Sequence, residues 1–174
     1  MRDIANSFSV GCGVRTDTSA ITCWGDGSNI VASTTKPSGT FTQLSVANSH
    51  ACARRTDGTV VCWGDTSLGR LGAPTGTFAE VVTTTLGGCV RTSAGAASCW
   101  GFGSTLPASS YTLLRSGDDG DVCGLTTAGE IRCARRVPPA GSFVDLAVGN
   151  GFVCGLTAGG DVQCAGQLET LDAL

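Results

Sequence analysis

The ten cysteines of this chain are the residues whose type and spacing most directly suggest chemistry. They fall into five pairs, of which four are ten residues apart and the first is eleven apart. The pairs are Cys12/Cys23, Cys52/Cys62, Cys89/Cys99, Cys123/Cys133 and Cys154/Cys164. Many cysteines in regular pairs are typical of disulfide frameworks in an oxidising compartment. The alternative is ten reduced thiols that act as small apolar side chains in a core.

Other reactive residues give weaker patterns. His50, the only histidine, stands two residues before Cys52, as in a histidine-activated thiol nucleophile. A disulfide partner explains Cys52 better, so we predict no catalytic residue.

The closely spaced cysteines or histidines of a zinc site are absent. The acidic turn 118–121 lacks the residue order of a calcium loop, so we predict a solvated turn, with weak calcium binding as the alternative. We predict no cofactor.

The segment between the cysteines of each pair predicts a β-hairpin. In the second repeat Asp57 and Gly58 lie between two short alternating runs, which is a turn signal. If Gly58 adopts positive φ in a three-residue loop, counting outward places Cys52 opposite Cys62. At a non-hydrogen-bonded position their Cα atoms would lie roughly 4.5 Å apart, which a disulfide accepts. We therefore expect each repeat to close on itself through its own disulfide.

The cysteines share a strand face with the residues two positions inward. On the returning strand these residues are all apolar: Ile21, Val60, Ala97, Ile131 and Val162. We expect this face to pack between neighbouring sheets. Arg54 and Arg91 interrupt it on the outgoing strand. Either their stems cover apolar surface while the guanidinium groups reach water, or the two form a groove that binds an acidic partner or a planar ligand.

Three tryptophans follow the second cysteine of their pairs, and they fall on the opposite strand face. They are Trp24, Trp63 and Trp100, each within a Cys-Trp-Gly run. Large aromatic side chains at a repeated position are typical of core or sheet-edge packing. The alternative is an exposed platform for sugars or for a partner protein.

Composition favours an all-β protein and excludes several classes. The chain has 174 residues, a net charge of −3, 14% charged residues and 26 glycines. Short apolar runs separated by Gly, Ser and Thr clusters predict strands, and no run is long enough to span a membrane. Without a basic patch we do not expect a nucleic-acid partner. The first residues lack the apolar stretch of a signal peptide, so an extracellular or cell-surface location implies a leader absent from this chain.

The hairpins belong to a longer repeat. One unit contains an aromatic residue, an apolar stretch, a turn, the cysteine hairpin, Trp-Gly and a loop. A single domain, 1–174, would hold repeats near 1–40, 41–77, 78–110, 111–142 and 143–174. The runs His-Ala-Cys-Ala at 50–53, Thr-Asp-Gly-Thr-Val at 56–60, Cys-Trp-Gly at 62–64 and Gly-Arg-Leu-Gly at 69–72 resemble the RCC1 repeat, particularly its cysteine-bearing bacterial version. The short units are similar in size to those of β-lactamase inhibitory protein propellers.

The resemblance implies a β-propeller of five short blades built from antiparallel hairpins. We expect a closed five-bladed ring. An open stack, or a fragment of the seven-bladed ring usual in the family, is the alternative.

Sequence variation is concentrated in the loops that follow the hairpins, at 26–40, 65–77, 102–110 and 134–142. Variable loops on a repeating frame are usual sites of recognition. By analogy with the family we expect a non-catalytic protein-binding scaffold, without exchange-factor activity. The alternatives are a carbohydrate-binding module and a structural subunit of an extracellular assembly. The oligomeric state does not follow from the sequence.

Overall fold

The computed structural model describes residues 1, 3–26, 29–103 and 105–167, and in these ranges each repeat forms one three-stranded antiparallel sheet. We call the five sheets blades 1 to 5. The strands are β1 (Asp3–Ser7), β2 (Val10–Val14), β3 (Ile21–Gly25), β4 (Phe41–Val46), β5 (His50–Arg55), β6 (Val60–Gly64), β7 (Glu80–Thr84), β8 (Gly87–Arg91), β9 (Ala97–Gly101), β10 (Tyr111–Ser116), β11 (Val122–Thr126), β12 (Ile131–Cys133), β13 (Asp145–Val148), β14 (Phe152–Leu156) and β15 (Val162–Gly166). Helix α1 (Ile30–Ser33) lies in the first loop.

The hairpin register agrees with the sequence prediction. Cys52 lies opposite Cys62, Gly58 has a φ of 87°, and the N–H of Arg55 donates to the carbonyl of Thr59 at 2.8 Å. All five predicted cysteine pairs are disulfide-bonded in the structure, with Cα atoms 4.0 Å apart. The bonded pairs are Cys12–Cys23, Cys52–Cys62, Cys89–Cys99, Cys123–Cys133 and Cys154–Cys164. Each disulfide therefore joins the middle strand of a blade to its outer strand.

The two faces of a blade differ in composition and pack in a fixed order. We call the face with the disulfide the cystine face, and the opposite face, with the repeat's aromatic residue and tryptophan, the aromatic face. Cys12 and Val14 of blade 1 share one buried cluster with Phe41 and Trp63 of blade 2. The same pairing of cystine face with aromatic face recurs at the next three interfaces. The predicted packing of the cystine face between neighbouring sheets is confirmed at these interfaces.

The cysteines of the outer strands are less covered than those of the middle strands. In blades 1 to 4 each middle-strand cysteine is fully buried. On the outer strands only Cys133 is buried, and the partly buried cysteines are Cys23, Cys62, Cys99 and Cys164. The predicted packing of this face is therefore less complete on the outer strands than on the middle strands. The outer strand is the edge of its sheet, so the neighbouring blade covers Cys23 and Cys99 only in part, and no described blade follows Cys164.

A polar contact accompanies this packing at three of the four interfaces. A side chain on the inner strand of one blade accepts a hydrogen bond from a backbone N–H on the inner strand of the next. We call this contact the interblade clasp. Its pairs are Asp3 with Leu44 at 2.6 Å, Gln43 with Val81 at 3.0 Å and Glu80 with Leu114 at 3.0 Å. Leu113 occupies the equivalent position at the fourth interface, so that interface has no clasp of this kind.

The five-bladed propeller is confirmed, but the expected contact between its first and last blades is not seen in the described ranges. The inner strands β1, β4, β7, β10 and β13 pack successively, and no comparable contact joins β13 to β1. The cystine face of blade 5 exposes Val162 and Leu156, and the aromatic face of blade 1 exposes Ile4 and Trp24. Within the described ranges, no contact comparable to the four internal interfaces therefore closes the ring between blades 5 and 1. No helix among the described residues has the length and hydropathy needed to cross a membrane.

Candidate functional site

The variable loops begin at the end of the blades where the inner strand turns into the middle strand. We call this the loop end. The N–H of Asp65 donates to the carbonyl of Ser49 at 2.8 Å, and the N–H of Phe102 donates to the carbonyl of Leu86 at 3.0 Å. Because antiparallel strands alternate in direction, the loop that leaves each outer strand starts beside this turn. The loop end therefore collects the most variable segments of the chain.

Each of the four loops exposes one large apolar side chain. The four are Ile30, Leu68, Phe102 and Val137, exposed by 41%, 54%, 67% and 83%. An exposed apolar residue is ordinary when it occurs singly. Its recurrence once per loop, in otherwise dissimilar loops, is the feature that sequence analysis missed. The signal in the sequence is weak, because three of the loops contain a second large apolar residue that is buried or half-buried: Val31, Leu71 and Leu106.

The loops are held by the blade that follows each of them. The indole N–H of Trp63 donates to the carbonyl of Val31 at 3.2 Å, and that of Trp100 donates to the carbonyl of Arg70 at 2.7 Å. Arg70 in turn donates from Nε to the carbonyl of Thr85 at 2.9 Å. The loop backbone is thereby fixed relative to the sheets, which limits the entropy lost on binding a partner.

The acidic turn is a structural element, not the solvated turn that was predicted. Asp121 is 1% exposed and its Oδ2 accepts from Nε of Arg136 at 2.6 Å. Asp119 also forms an ion pair with Arg136. Burial raises the pKa of Asp119, but hydrogen bonds from the N–H groups of Gly151 and Asp121 and from Arg136 outweigh it, so this pKa lies below its ordinary value. Residues distant in sequence thus convert the turn into a buried ion-pair network.

One cluster of potential metal ligands occurs near this network. A carboxylate oxygen of Asp121 and the sulfur atoms of Cys123 and Cys133 lie within 4.8 Å of one another. The two sulfur atoms are bonded to each other. They therefore offer no thiolate to a metal ion.

The disulfides leave no cysteine available as a nucleophile or a metal ligand. All ten cysteines lie in the described ranges, and none of them is free. This holds also for Cys23, Cys99 and Cys164, which are only partly buried but are disulfide-bonded. The predicted role of the cysteines as a disulfide framework is therefore confirmed, and the alternative of ten reduced thiols is not.

A polar cleft opens near the propeller axis at the loop end, with a volume of about 260 Å³. Hydroxyl and amide side chains line much of it. They include Asn6, Ser45, Asn48, Thr83, Thr84 and Ser116. Oγ of Ser45 and Oγ1 of Thr83 lie 2.9 Å apart, so part of this polar lining is satisfied internally. The cleft is lined by residues of the inner strands and of the turns that follow them.

His50 and Cys52 do not form a nucleophile pair. His50 is fully buried, and its Nε2 bonds the carbonyl of Gly87 in blade 3 at 2.9 Å. Because a carbonyl can only accept, Nε2 carries the proton. Burial lowers the pKa of His50 below its ordinary value. Cys52 is bonded to Cys62 and has no thiol to activate.

The two arginines on the cystine faces make contacts within the protein. Nε of Arg91 donates to Oε2 of Glu80 at 2.9 Å, and only 16% of the Arg91 side chain is exposed. Nη1 of Arg54 donates to the carbonyl of Phe78 in the next blade at 3.5 Å. The buried carboxylate of Glu80 was not foreseen from the sequence. Binding of a partner by Arg54 and Arg91 stays a prediction.

The tryptophans divide into two groups. Trp63 and Trp100 are 4% and 8% exposed, whereas Trp24 is 45% exposed on the free face of blade 1. The expected core packing therefore holds for the first two. A stacking platform made of all three is not available, and glycan binding stays a prediction.

Comparison with known families identifies the repeat. The family model described as the Regulator of chromosome condensation (RCC1) repeat matches residues 41–70. These residues form blade 2 and the start of its loop. No curated protein matches the chain in sequence.

Solved propeller structures match nearly the whole chain. The ectodomain of the Physcomitrella patens receptor kinase CR4 is 24% identical with a TM-score of 0.77, over 94% of this chain and 49% of that one. The CRINKLY WD40 ectodomain of the Arabidopsis thaliana receptor kinase ACR4 is 23% identical with a TM-score of 0.75, over 94% and 62%. Prp20p of Saccharomyces cerevisiae is 12% identical with a TM-score of 0.69, over 91% and 56%. The chain thus spans less than two thirds of each structure, and the likeness shows the fold alone.

Proposed function

Because the chain is an RCC1-like repeat protein, we propose that it is a non-catalytic scaffold that binds another protein at its loop end. The observation that carries this proposal is the single exposed apolar side chain in each of the four variable loops. Binding energy at protein interfaces is concentrated in a few large side chains held by a rigid frame. The hydrogen bonds from Trp63 and Trp100 provide that rigidity for the first two loops.

The comparisons support the same class of function. The structure of Prp20p is described together with its binding to Gsp1p and histones, and a second structure has yeast RCC1 bound to Kap60. These partners are those of the yeast protein. They support protein binding as a use of this propeller type, and we extend only that class to the present chain.

We place the protein outside the cell or at its surface. Five disulfides in one small domain are stable where the environment is oxidising. The CR4 match is itself an ectodomain. Intact mass before and after alkylation without reductant tests this location, with protein purified from its native source. We expect no alkylated cysteine, and a chain with alkylated cysteines would contradict an oxidising location.

Protein binding is tested by a matched pair of double variants. Phe102→Lys/Val137→Lys alters the loop end of blades 3 and 4, and Ser93→Lys/Ala128→Lys adds the same charge at their exposed hairpin turns. A partner captured with the unaltered protein is purified and titrated against each variant. We expect the loop-end variant to raise Kd by more than about tenfold, because it removes two apolar anchors. The turn variant should bind normally; equal effects from both variants would place the binding site elsewhere.

A further inference from the structure

The described residues that line the polar cleft near the propeller axis all belong to blades 1 to 4. They are the last residues of the inner strands β1, β4, β7 and β10, together with the turns that follow three of these strands. The volume of about 260 Å³ lies just below the range of about 300–1,000 Å³ that is usual for small-molecule sites. The cleft therefore has room for one small ligand.

Five polar side chains of this lining form no hydrogen bond with any other described residue, and each of blades 1 to 4 supplies at least one of them. The five are Asn6, Asn48, Thr85, Ser116 and Asp118. Ser45 and Thr83 differ, because Oγ of Ser45 accepts from the N–H of Thr83 at 2.8 Å and the two hydroxyl groups bond each other. The cleft thus combines one internally satisfied wall with five groups that are available to a ligand.

The turns that carry these groups are fixed by other contacts. Nδ2 of Asn29 donates to Oγ of Ser9 at 3.2 Å and to the main-chain carbonyl of Asn48 at 3.1 Å, which joins the turns of blades 1 and 2. Arg70 holds the turn of blade 3 through its bond to a main-chain carbonyl. The buried ion-pair network of blade 4 holds the turn that contains Asp118. The five groups are therefore positioned without using their own side chains, which limits the entropy lost on binding.

The hydrogen-bonding types of the five groups select the class of ligand. Asn6 and Asn48 each bring two N–H donors and one carbonyl acceptor, and the hydroxyl groups of Thr85 and Ser116 both donate and accept. A ligand with donors only, such as a lysine or arginine side chain, leaves the amide N–H groups without an acceptor. A ligand with acceptors only, such as phosphate, meets the carboxylate of Asp118 and finds no Lys or Arg in the lining. The set fits a neutral ligand with several hydroxyl groups.

We propose that this cleft binds a neutral saccharide through hydrogen bonds to the hydroxyl groups of the sugar. The carboxylate of Asp118 and the amide carbonyls accept from these hydroxyl groups, and the amide N–H groups donate to them. Leu44 and Val46 in the same lining provide apolar surface for the C–H groups of the sugar ring. None of the three tryptophans lines the cleft, so this site is distinct from an aromatic stacking platform.

Binding is measured by saturation-transfer NMR on the full chain, with glucose, galactose, mannose and N-acetylglucosamine at millimolar concentration, and on an array of neutral oligosaccharides. N-acetyl-lysine methylamide and inorganic phosphate are the probes for ligands with donors only and with acceptors only. We expect at least one neutral saccharide to bind and neither of these two probes to displace it. The proposal is overturned if no saccharide binds, and also if the lysine derivative or phosphate binds in place of a saccharide.

A matched pair of variants locates the site. Asn48→Ala removes one ligand group and keeps the main-chain carbonyl that Asn29 bonds. Asn150→Ala removes the same side chain at the same repeat position of blade 5, outside the cleft. In NMR titrations with the saccharide that binds best, Asn48→Ala should raise Kd by about 3- to 10-fold, and Asn6→Ala/Asn48→Ala by more. Asn150→Ala should leave Kd unchanged, and equal Kd values in all variants would place the saccharide elsewhere and overturn the proposal.

A further titration distinguishes a free saccharide from a glycan carried by the loop-end partner. The captured partner is titrated against the unaltered chain before and after enzymatic removal of its glycans. A rise in Kd to the value of Asn6→Ala/Asn48→Ala assigns the saccharide to the partner, and an unchanged Kd assigns it to a free molecule. Phe102→Lys/Val137→Lys should bind the saccharide normally, so the saccharide proposal and the protein-binding proposal fail independently.

Discussion

Blades 4 and 5 have the same three-stranded sheet and the same disulfide, yet their cystine faces lie in different surroundings. Leu125 in blade 4 is 5% exposed, whereas Leu156 at the equivalent position in blade 5 is 37% exposed. Ile131 of blade 4 is 5% exposed, whereas Val162 at the equivalent position in blade 5 is 65% exposed. The repeat therefore specifies the sheet, and the neighbouring blade completes the core. Stability in such a chain is largely a sum of interface terms.

The largest expected effect is on the free energy of unfolding, when the leucine at the equivalent position of the cystine faces of blades 4 and 5 is truncated to alanine. Leu125→Ala should lower the free energy of unfolding by about 2–5 kcal/mol, because it leaves a cavity between two blades. Leu156→Ala should cost about 1 kcal/mol or less, because much of its surface already meets water. Urea denaturation at a concentration where the chain is monomeric measures both. Equal losses would show that blade 5 is covered within a single chain.

A second test compares Glu80 of blade 3 with Asp145 of blade 5, which occupy the same position in their repeats. Glu80 is 8% exposed and bonds Arg91 and the N–H of Leu114, so Glu80→Gln should cost about 1–3 kcal/mol by leaving a buried guanidinium without its counterion. The equivalent change Asp145→Asn, at a side chain 55% exposed, should stay within about 0.5 kcal/mol. Thermal and urea unfolding of the two variants provide the comparison. A clearly destabilising Asp145→Asn would mean that the exposed ion pair of Asp145 with Arg115, at 3.9 Å, contributes more than surface ion pairs usually do.

The smallest expected effect is a pH dependence at the interface of blades 2 and 3. The pKa of His50 is lowered in the folded protein, so below the ordinary histidine pKa of about 6.5 the unfolded chain binds a proton that the folded chain does not. Stability should therefore fall as pH drops from about 6.5 toward the folded pKa, with a slope of at most about 1.4 kcal/mol per pH unit. Urea titrations between pH 7 and pH 5 measure the slope.

His50→Gln provides the control for this titration, because His50 is the only histidine. The variant should lose most of the slope in that pH range. An unchanged slope would assign the pH dependence to carboxylates instead of to this interface.

Much of the fold follows from spacing alone. The ten-residue interval between Cys52 and Cys62 indicates the hairpin register, because a three-residue loop places the two cysteines directly opposite each other. The apolar residues beside the cysteines identify the packed face. Both are local patterns within one repeat, which is why they can be read without a structure.

The features that escaped prediction depend on contacts that the hairpin spacing does not show, either within a repeat or between repeats. Asp121 is buried because Arg136, fifteen residues later, folds back on the acidic turn. Arg91 meets Glu80 across the sheet, and the spacing gives no sign of it. Trp24 and Trp63 occupy the same place in their repeats, but blade 1 covers Trp63, whereas no blade among the described residues covers Trp24. The contact between blades 1 and 5 that a closed ring needs is not seen among the described residues, and it depends on the turn per blade, which the spacing within one repeat does not give.

The indole contacts of Trp63 and Trp100 have a consequence for how such proteins diversify. Each indole bonds a main-chain carbonyl, which every amino acid provides, so the anchor does not constrain the side chains of the loop it holds. Insertions and substitutions in the loop can accumulate without loss of the anchor, as long as one carbonyl stays in reach. The same property makes the first two loops suitable positions for randomised libraries, in which new specificities are selected on an unaltered framework.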